Sequence, residues 1–224
     1  MRASSLTLIL LFVGCASKGD EGWFILNNTA PTPTALSCML TSAPGQPFFA
    51  TGTIDTNKNN GYVLTPLLQS RIDFTAGHEA ERTIHIEGAN IVLSAAGADG
   101  KLAQISAFTT LVSGSLPPLG TVNLAFTIVP ASAATAPTQL NANITMFGTL
   151  GGGRIDAEPF DYPVTVCTDC LTNILGDCGA TATPAPMNKG NPCNLNQDFP
   201  IDCCSGAPPG PGVTNGLRCP GPIK

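Results

Sequence analysis

Between residues 38 and 166 the chain alternates apolar and polar side chains with a period of two, and this pattern admits few folds. Val122, Leu124, Phe126 and Ile128 alternate with Thr121, Asn123, Ala125 and Thr127. Leu140, Ala142, Ile144 and Met146 alternate with Asn141, Asn143 and Thr145, and Phe160, Tyr162, Val164 and Val166 with Asp161, Pro163 and Thr165. Ile84 and Ile86 alternate with Thr83, His85 and Glu87. Successive side chains on a strand point to opposite faces, so each run offers one face to a core and one to water. Residues 48–56, 62–68, 89–94 and 102–112 are further strand candidates, the last of which also fits a helix. Asn59-Asn60-Gly61, Asp99-Gly100, Pro117-Pro118 and Gly151-Gly152-Gly153 separate the runs as turns. Seven to nine short strands of this kind predict an all-β fold, an antiparallel β-sandwich of immunoglobulin-like or jelly-roll type. Pro163 has no N–H to give to a ladder, so its strand should lie at an edge or start there. The simplest cover for such an edge is the tail that follows it.

Cysteine supplies the second constraint. The chain has nine. With Cys15 set aside, Cys38, Cys167, Cys170, Cys178, Cys193, Cys203, Cys204 and Cys219 form an even set, which in an exported protein reads as four disulfides. Seven of these lie after residue 166. An odd number cannot close on itself, so full pairing requires a bridge from Cys38 into the tail. Closing a loop of more than 100 residues stabilises by about 4–5 kcal/mol in the chain-entropy model. The partner stays open, since eight cysteines allow 105 pairings. Residues 167–224 carry seven Cys, nine Pro and eight Gly. Such a segment cannot build its own core and needs disulfides to hold it. Residues 171–175 could form one helical turn.

At the N-terminus, Met1-Arg2 precedes a short apolar stretch, residues 6–13, and then Gly14-Cys15-Ala16-Ser17. A positive start, a brief hydrophobic core and a small residue at the boundary read as a secretory signal. Eight residues cannot span ~30 Å of hydrocarbon, which takes ~20 in a helix. Phe12-Val13-Gly14-Cys15 resembles the lipobox of bacterial lipoproteins, with Phe12 where that family usually has Leu. The resemblance implies a signal peptide over residues 1–14 and an acylated Cys15, palmitate among its chains, as the first mature residue. More than one buried chain makes a durable membrane anchor. Ala16 in place of Asp resembles the pattern for export to the outer membrane of Gram-negative cells. The alternative is an ordinary cleaved signal, though no clear small-x-small site is present. Residues 15–37 then form a tether and linker with a possible first strand at Trp23, Phe24, Ile25 and Leu26. Residues 16–22 reach only about 25 Å when extended, which keeps the folded body near the membrane.

Only 11% of residues are charged, against about 25% in a typical soluble protein. The surface must therefore be built from Ser, Thr, Asn and Gly. No cluster of Lys or Arg exists and the net charge is −5, which argues against a nucleic-acid partner and against electrostatic docking on anionic lipid.

The motifs that could carry chemistry are few. Cys167-Thr168-Asp169-Cys170 is a C-x-x-C. A thioredoxin-like use would need the first thiol at a helix N-terminus, whereas here it follows a β pattern in a cysteine-dense tail, so a structural bridge is expected. A zinc site from Cys167, Cys170, Cys203 and Cys204 has the wrong second spacing for a zinc ribbon. Asp55, Asn57 and Asn59 place oxygen side chains at alternate positions, as a calcium loop does. However, Asn60 stands where an EF-hand needs Gly and Pro66 where it needs an acid; a hairpin turn explains the same residues. His78 and His85 are the two histidines, with Glu79, Glu81 and Glu87 nearby. His85 and Glu87 share a strand face, which reads as a polar outer surface. There is no G-x-S-x-G elbow, H-E-x-x-H or phosphate loop, so no catalytic residue, metal ligand or cofactor is assigned.

The chain resembles outer-membrane lipoproteins of Gram-negative bacteria. Tyr62 through Arg71 (YVLTPLLQSR) and Pro159 through Cys170 (PFDYPVTVCTDC) are similar to the Thr- and Gly-rich β lipoproteins of myxobacteria. The expectation is a membrane-tethered envelope protein with a non-catalytic binding or structural role toward a protein or glycan. The alternatives are an envelope enzyme, either a hydrolase or a thiol-redox protein using Cys167 and Cys170, and a calcium-binding module.

Overall fold

The structure, a computed structural model, describes residues 22–34, 37–43, 45–56, 61–97, 100–178, 188–193, 197–206, 213–214 and 217–219. The signal, Cys15 and the tether therefore lie outside the described residues, as do Asn57 to Asn60 of the candidate calcium loop. The strands are β1 (Trp23–Thr29), β2 (Thr32–Pro33), β3 (Cys38–Met39), β4 (Phe48–Phe49), β5 (Gly52–Asp55), β6 (Tyr62–Leu64), β7 (Pro66–Ser70), β8 (Ile84–Ala96) and β9 (Leu102–Leu116). They continue as β10 (Thr121–Asn123), β11 (Phe126–Val129), β12 (Thr138–Leu150), β13 (Gly153–Asp156), β14 (Phe160–Cys167), β15 (Thr172–Asp177), β16 (Ile201–Ser205), β17 (Val213–Thr214) and β18 (Leu217–Arg218).

The chain folds as an all-β sandwich. One layer is a six-stranded sheet in the order β5-β14-β12-β8-β9, with β13 added on β12. The other is formed by β10-β7-β1-β4 and the β11-β6 pair. The alternating runs bury their apolar halves between the layers: Ile84, Ile86, Ala89, Ile91 and Leu93 from β8, and Leu140, Ala142, Ile144 and Met146 from β12. Tyr162, Val164 and Val166 of β14 meet Trp23, Tyr62, Leu64, Leu68 and Ile128 of the opposite layer in the same core. On β8 the inward parity changes from even to odd because Glu87 is an extra residue against β12, between Ile86 paired with Gly148 and Gly88 paired with Phe147.

Several expectations are corrected. Residues 23–26 are a core strand, with Trp23 fully buried, so the sandwich begins well before residue 38. Residues 62–68 are two strands in different sheets, because Pro66 lacks an N–H and disfavours continuation through Thr65. Residues 84–86 and 89–94 are one strand, β8. Residues 102–112 form the strand β9 and not a helix. Residues 171–175 form no helical turn: they enter β15, which pairs with β16. The strand holding Pro163 is not an edge strand. β14 lies between β12 and β5, and Pro163 sits one residue before Val164, where pairing to β5 begins. The proline thus occupies the half of the strand that β5 does not reach. The β14–β5 and β15–β16 pairs are parallel, an exception in a mainly antiparallel fold.

The eight cysteines pair as Cys38–Cys193, Cys167–Cys170, Cys178–Cys204 and Cys203–Cys219. Cys38–Cys193 spans 155 residues and ties the tail to the N-terminal part of the sandwich.

Candidate functional site

Among the described residues, those singled out in the sequence are not assembled into one centre. Cys167 and Cys170 are bridged to each other. The segment after them is a turn and then β15, so no helix N-terminus faces Cys167. Cys203 and Cys204 are each bonded to another cysteine, which commits the sulfurs of the conceivable zinc set. Among the described residues no three His, Cys, Asp or Glu side chains are grouped to hold a metal. His78 lies in an exposed loop, where its Nδ1 is 3.1 Å from Glu81. His85 and Glu87 are exposed on the outer face of β8.

Asp55 is fully buried. Its two oxygens accept the backbone N–H groups of Asp169 at 3.1 Å and Leu171 at 3.2 Å. The carboxylate pins the chain reversal after β14 and orients the start of the tail.

The tail makes a second anchor at a buried polar node. The bulge at Leu26 turns β1 so that Asn28 points into the core. The Asn28 amide donates to the Tyr162 hydroxyl at 2.7 Å and the Tyr62 hydroxyl at 3.1 Å. Its oxygen accepts the Thr65 N–H at 2.9 Å, satisfying the backbone where β6 breaks from β7. The two phenol oxygens lie 3.0 Å apart, and Tyr62 donates to Asp198 of the tail at 2.8 Å. Gly52 makes room for this, since a Cβ there would stand 2.5 Å from the Tyr62 ring. Burial, and then the charge of Asp198, push the Tyr62 phenol far above its ordinary value. Burial pushes Tyr162 up to about 12, against hydrogen bonds from Tyr62 and Asn28 that pull it down.

Beside the node, Gln197 copies a strand partner. Its Oε1 accepts the Val63 N–H at 2.9 Å and its Nε2 donates to the Val63 carbonyl at 2.8 Å. Asn191 donates to the Pro31 carbonyl at 2.8 Å, and Phe199 packs edge-on to Phe49 at 5.3 Å. These groups are consumed in holding the tail on the sandwich. Sequence reading missed the node. The available signal was that Tyr62 and Tyr162 are the two tyrosines of the chain, one of them at an inward position of an alternating run.

Among the described residues, the outer face of the six-stranded sheet presents rows of amides and hydroxyls. Register aligns Val92, Asn143 and Asp161 across β8, β12 and β14, and Thr109, Asn90 and Thr145 across β9, β8 and β12. Asp161 accepts from the amides of Asn141 at 3.1 Å and Asn143 at 3.0 Å. Thr109 donates to Asn90 at 2.8 Å, and Thr165 to Gln139 at 3.1 Å. These cross-strand bonds fix the amides in plane. At one end the Phe147 ring lies over Gly88, with the Arg154 guanidinium 4.8 Å from its centroid. The face is low in charge and rich in amides and hydroxyls, which suits a neutral hydroxyl-bearing or polar protein surface. Among the described residues a cleft of about 240 Å³ is lined by Thr29, Pro31, Thr32, Thr41, Gln46 and Pro47, small beside the ~300–1,000 Å³ of ordinary ligand pockets.

The fold and this face define a disulfide-stapled β-sandwich with a polar sheet surface. No protein-family model and no curated sequence matches the chain. Among solved structures, the sporulation control protein Spo0M from Bacillus subtilis is similar over 47% of this chain and 43% of its own length, at 15% identity and a TM-score of 0.27. The chain thus spans less than half of the length of that protein, and so low a score carries no argument about fold or function.

Proposed function

We propose that the protein is a membrane-tethered envelope lipoprotein, anchored through an acylated Cys15, whose sandwich has a non-catalytic role in binding an envelope protein or a glycan. The observation that carries the binding role is the ordered outer face of Asn90, Thr109, Asn141, Asn143, Thr145 and Asp161. A strand-held array of mostly neutral donors and acceptors around the Asp161 carboxylate recognises a partner without the loop-ordering entropy that flexible sites incur. The tail, stitched down by disulfides and the polar node, supports this reading as a brace on the sandwich. The lipobox resemblance supports the anchor, and Ala16 in place of Asp supports placement at the outer membrane.

Two measurements test the proposal. Intact mass of the membrane-extracted protein should show a chain beginning at Cys15 with added acyl mass; an unacylated chain would remove the anchor. Glycan-array and envelope-extract binding should be lost in an Asn143→Ala/Thr145→Ala variant that melts like the wild type. Binding that survives those substitutions would remove the sheet face.

A further inference from the structure

The chain enters the sandwich at one end. Gly22, the first described residue, accepts the Arg71 N–H at 2.8 Å and lies against Ile72 and Ile155. Ile84 pairs with Leu116 and His85 with Thr149, so register brings three connections to this end. They are residues 71–83 between β7 and β8, residues 117–120 between β9 and β10, and the Gly151-Gly152 turn between β12 and β13. Ala96, Leu102 and Cys167, where the disulfide-rich tail begins, lie at the other end, about 40 Å away along the 13 residues of β12.

Two large apolar side chains project from the entry end. Phe74 is 56% exposed and Leu119 is 58% exposed. The Leu119 N–H reaches the Ile72 carbonyl at 3.0 Å, two residues before Phe74, so both belong to one rim. Leu119 is also strained. Its φ is 53°, and the Gly120 N–H closes onto the Pro117 carbonyl at 3.0 Å. Pro118 fixes a negative φ just before it, which makes this a type II turn, whose third position ordinarily takes Gly or Asn. A bulky residue there is an outlier. The glycine of the turn, Gly120, stands one position later, where a Cβ would come 2.5 Å from the Pro117 ring. The fold thus holds an exposed leucine in a left-handed conformation that a smaller residue would adopt freely. Strain of this kind concentrates at functional positions.

We infer that the entry end lies on the phospholipid bilayer, with Phe74 and Leu119 seated among the headgroups and upper acyl chains. The inference rests on the acylated Cys15 of the proposed function. Residues 16–22 join that anchor to β1 and reach about 25 Å, less than the length of the sandwich, so the entry end is the part of the body brought to the lipid. The charges beside the two side chains are mixed, Arg71, Arg82 and Arg154 with Asp73, Glu79 and Glu81. The contact is therefore apolar, and zwitterionic lipid suffices. It stands the strands up from the membrane and leaves the outer polar face open to a partner.

The test uses the acylated full-length protein, extracted from membranes and reconstituted in phosphatidylcholine vesicles with bromine on the upper acyl chains. Fluorescence of Phe74→Trp, corrected for the single native Trp23, should be quenched at least twofold. Leu102→Trp, exposed at the far end, should not be quenched. Leu119→Asn added to Phe74→Trp should restore at least half of the lost intensity, with a thermal melt unchanged or raised because Asn relieves the turn. Acylated protein in which Phe74→Trp is unquenched, is quenched no more than Leu102→Trp, or is indifferent to Leu119→Asn overturns the inference and leaves the anchor standing. An intact mass without acyl chains overturns both.

Discussion

Raising the pH should unfold this protein through its two tyrosines. Tyr62 and Tyr162 hold their protons in the native node at pH values where an unfolded chain has released them. An unfolded tyrosine titrates near pH 10. A group whose native pKa is raised contributes stability that is fully present below the unfolded value and is lost as pH rises through the native one. Between pH 10 and about 12, where Tyr162 titrates in the native node, the unfolded state binds up to two fewer protons than the native state. Stability then falls by about 1.4 kcal/mol per pH unit for each tyrosine, or about 2.7 for the pair. Two pH units remove about 5 kcal/mol, comparable with the whole stability of many domains. The assay is phenolate absorbance against pH, in buffer and in denaturant, with urea midpoints at pH 9, 10 and 11. In denaturant both phenols should titrate near pH 10. In buffer neither should, until absorbance and loss of structure rise together. Tyr162→Phe should halve the slope of stability against pH. A tyrosine that ionises near pH 10 in a protein still folded would refute the buried node.

Other perturbations follow from the same geometry. Tyr62→Phe removes the hydroxyl that joins Asp198, Tyr162 and Asn28 and should cost about 1–3 kcal/mol in urea unfolding. Gly52→Ala drives a methyl against a ring that cannot retreat and should cost about 1–3 kcal/mol as overpacking, read as a lower melting temperature. Replacing Cys38 and Cys193 by Ser opens a 155-residue separation and should cost up to about 5 kcal/mol. Replacing Cys167 and Cys170, three residues apart, should cost only about 2 kcal/mol in the chain-entropy model; guanidinium midpoints in the reverse order would count against that account.

The fold class was written in the local chain. Period-two alternation needs only the geometry of a strand, and the runs around Leu140, Val164 and Ile128 declare which side faces the core without knowledge of any partner. The tie between Cys38 and the tail was likewise a matter of parity. What alternation cannot carry is the identity of the neighbouring strand. Nothing local says that β14 takes β5 as a parallel partner beyond Pro163, or that β8 and β9 are continuous hairpin arms. The polar node was hidden for the same reason. Asn28, Tyr62, Tyr162 and Asp198 come from four distant segments, and the inward turn of Asn28 depends on one bulged residue. Of the candidate surface, the sequence determined the residue types, a low-charge stock of Thr, Asn and Ser. Only tertiary structure decided which of them share a row, because cross-strand register is set by long-range pairing and by bulges that shift it one residue at a time.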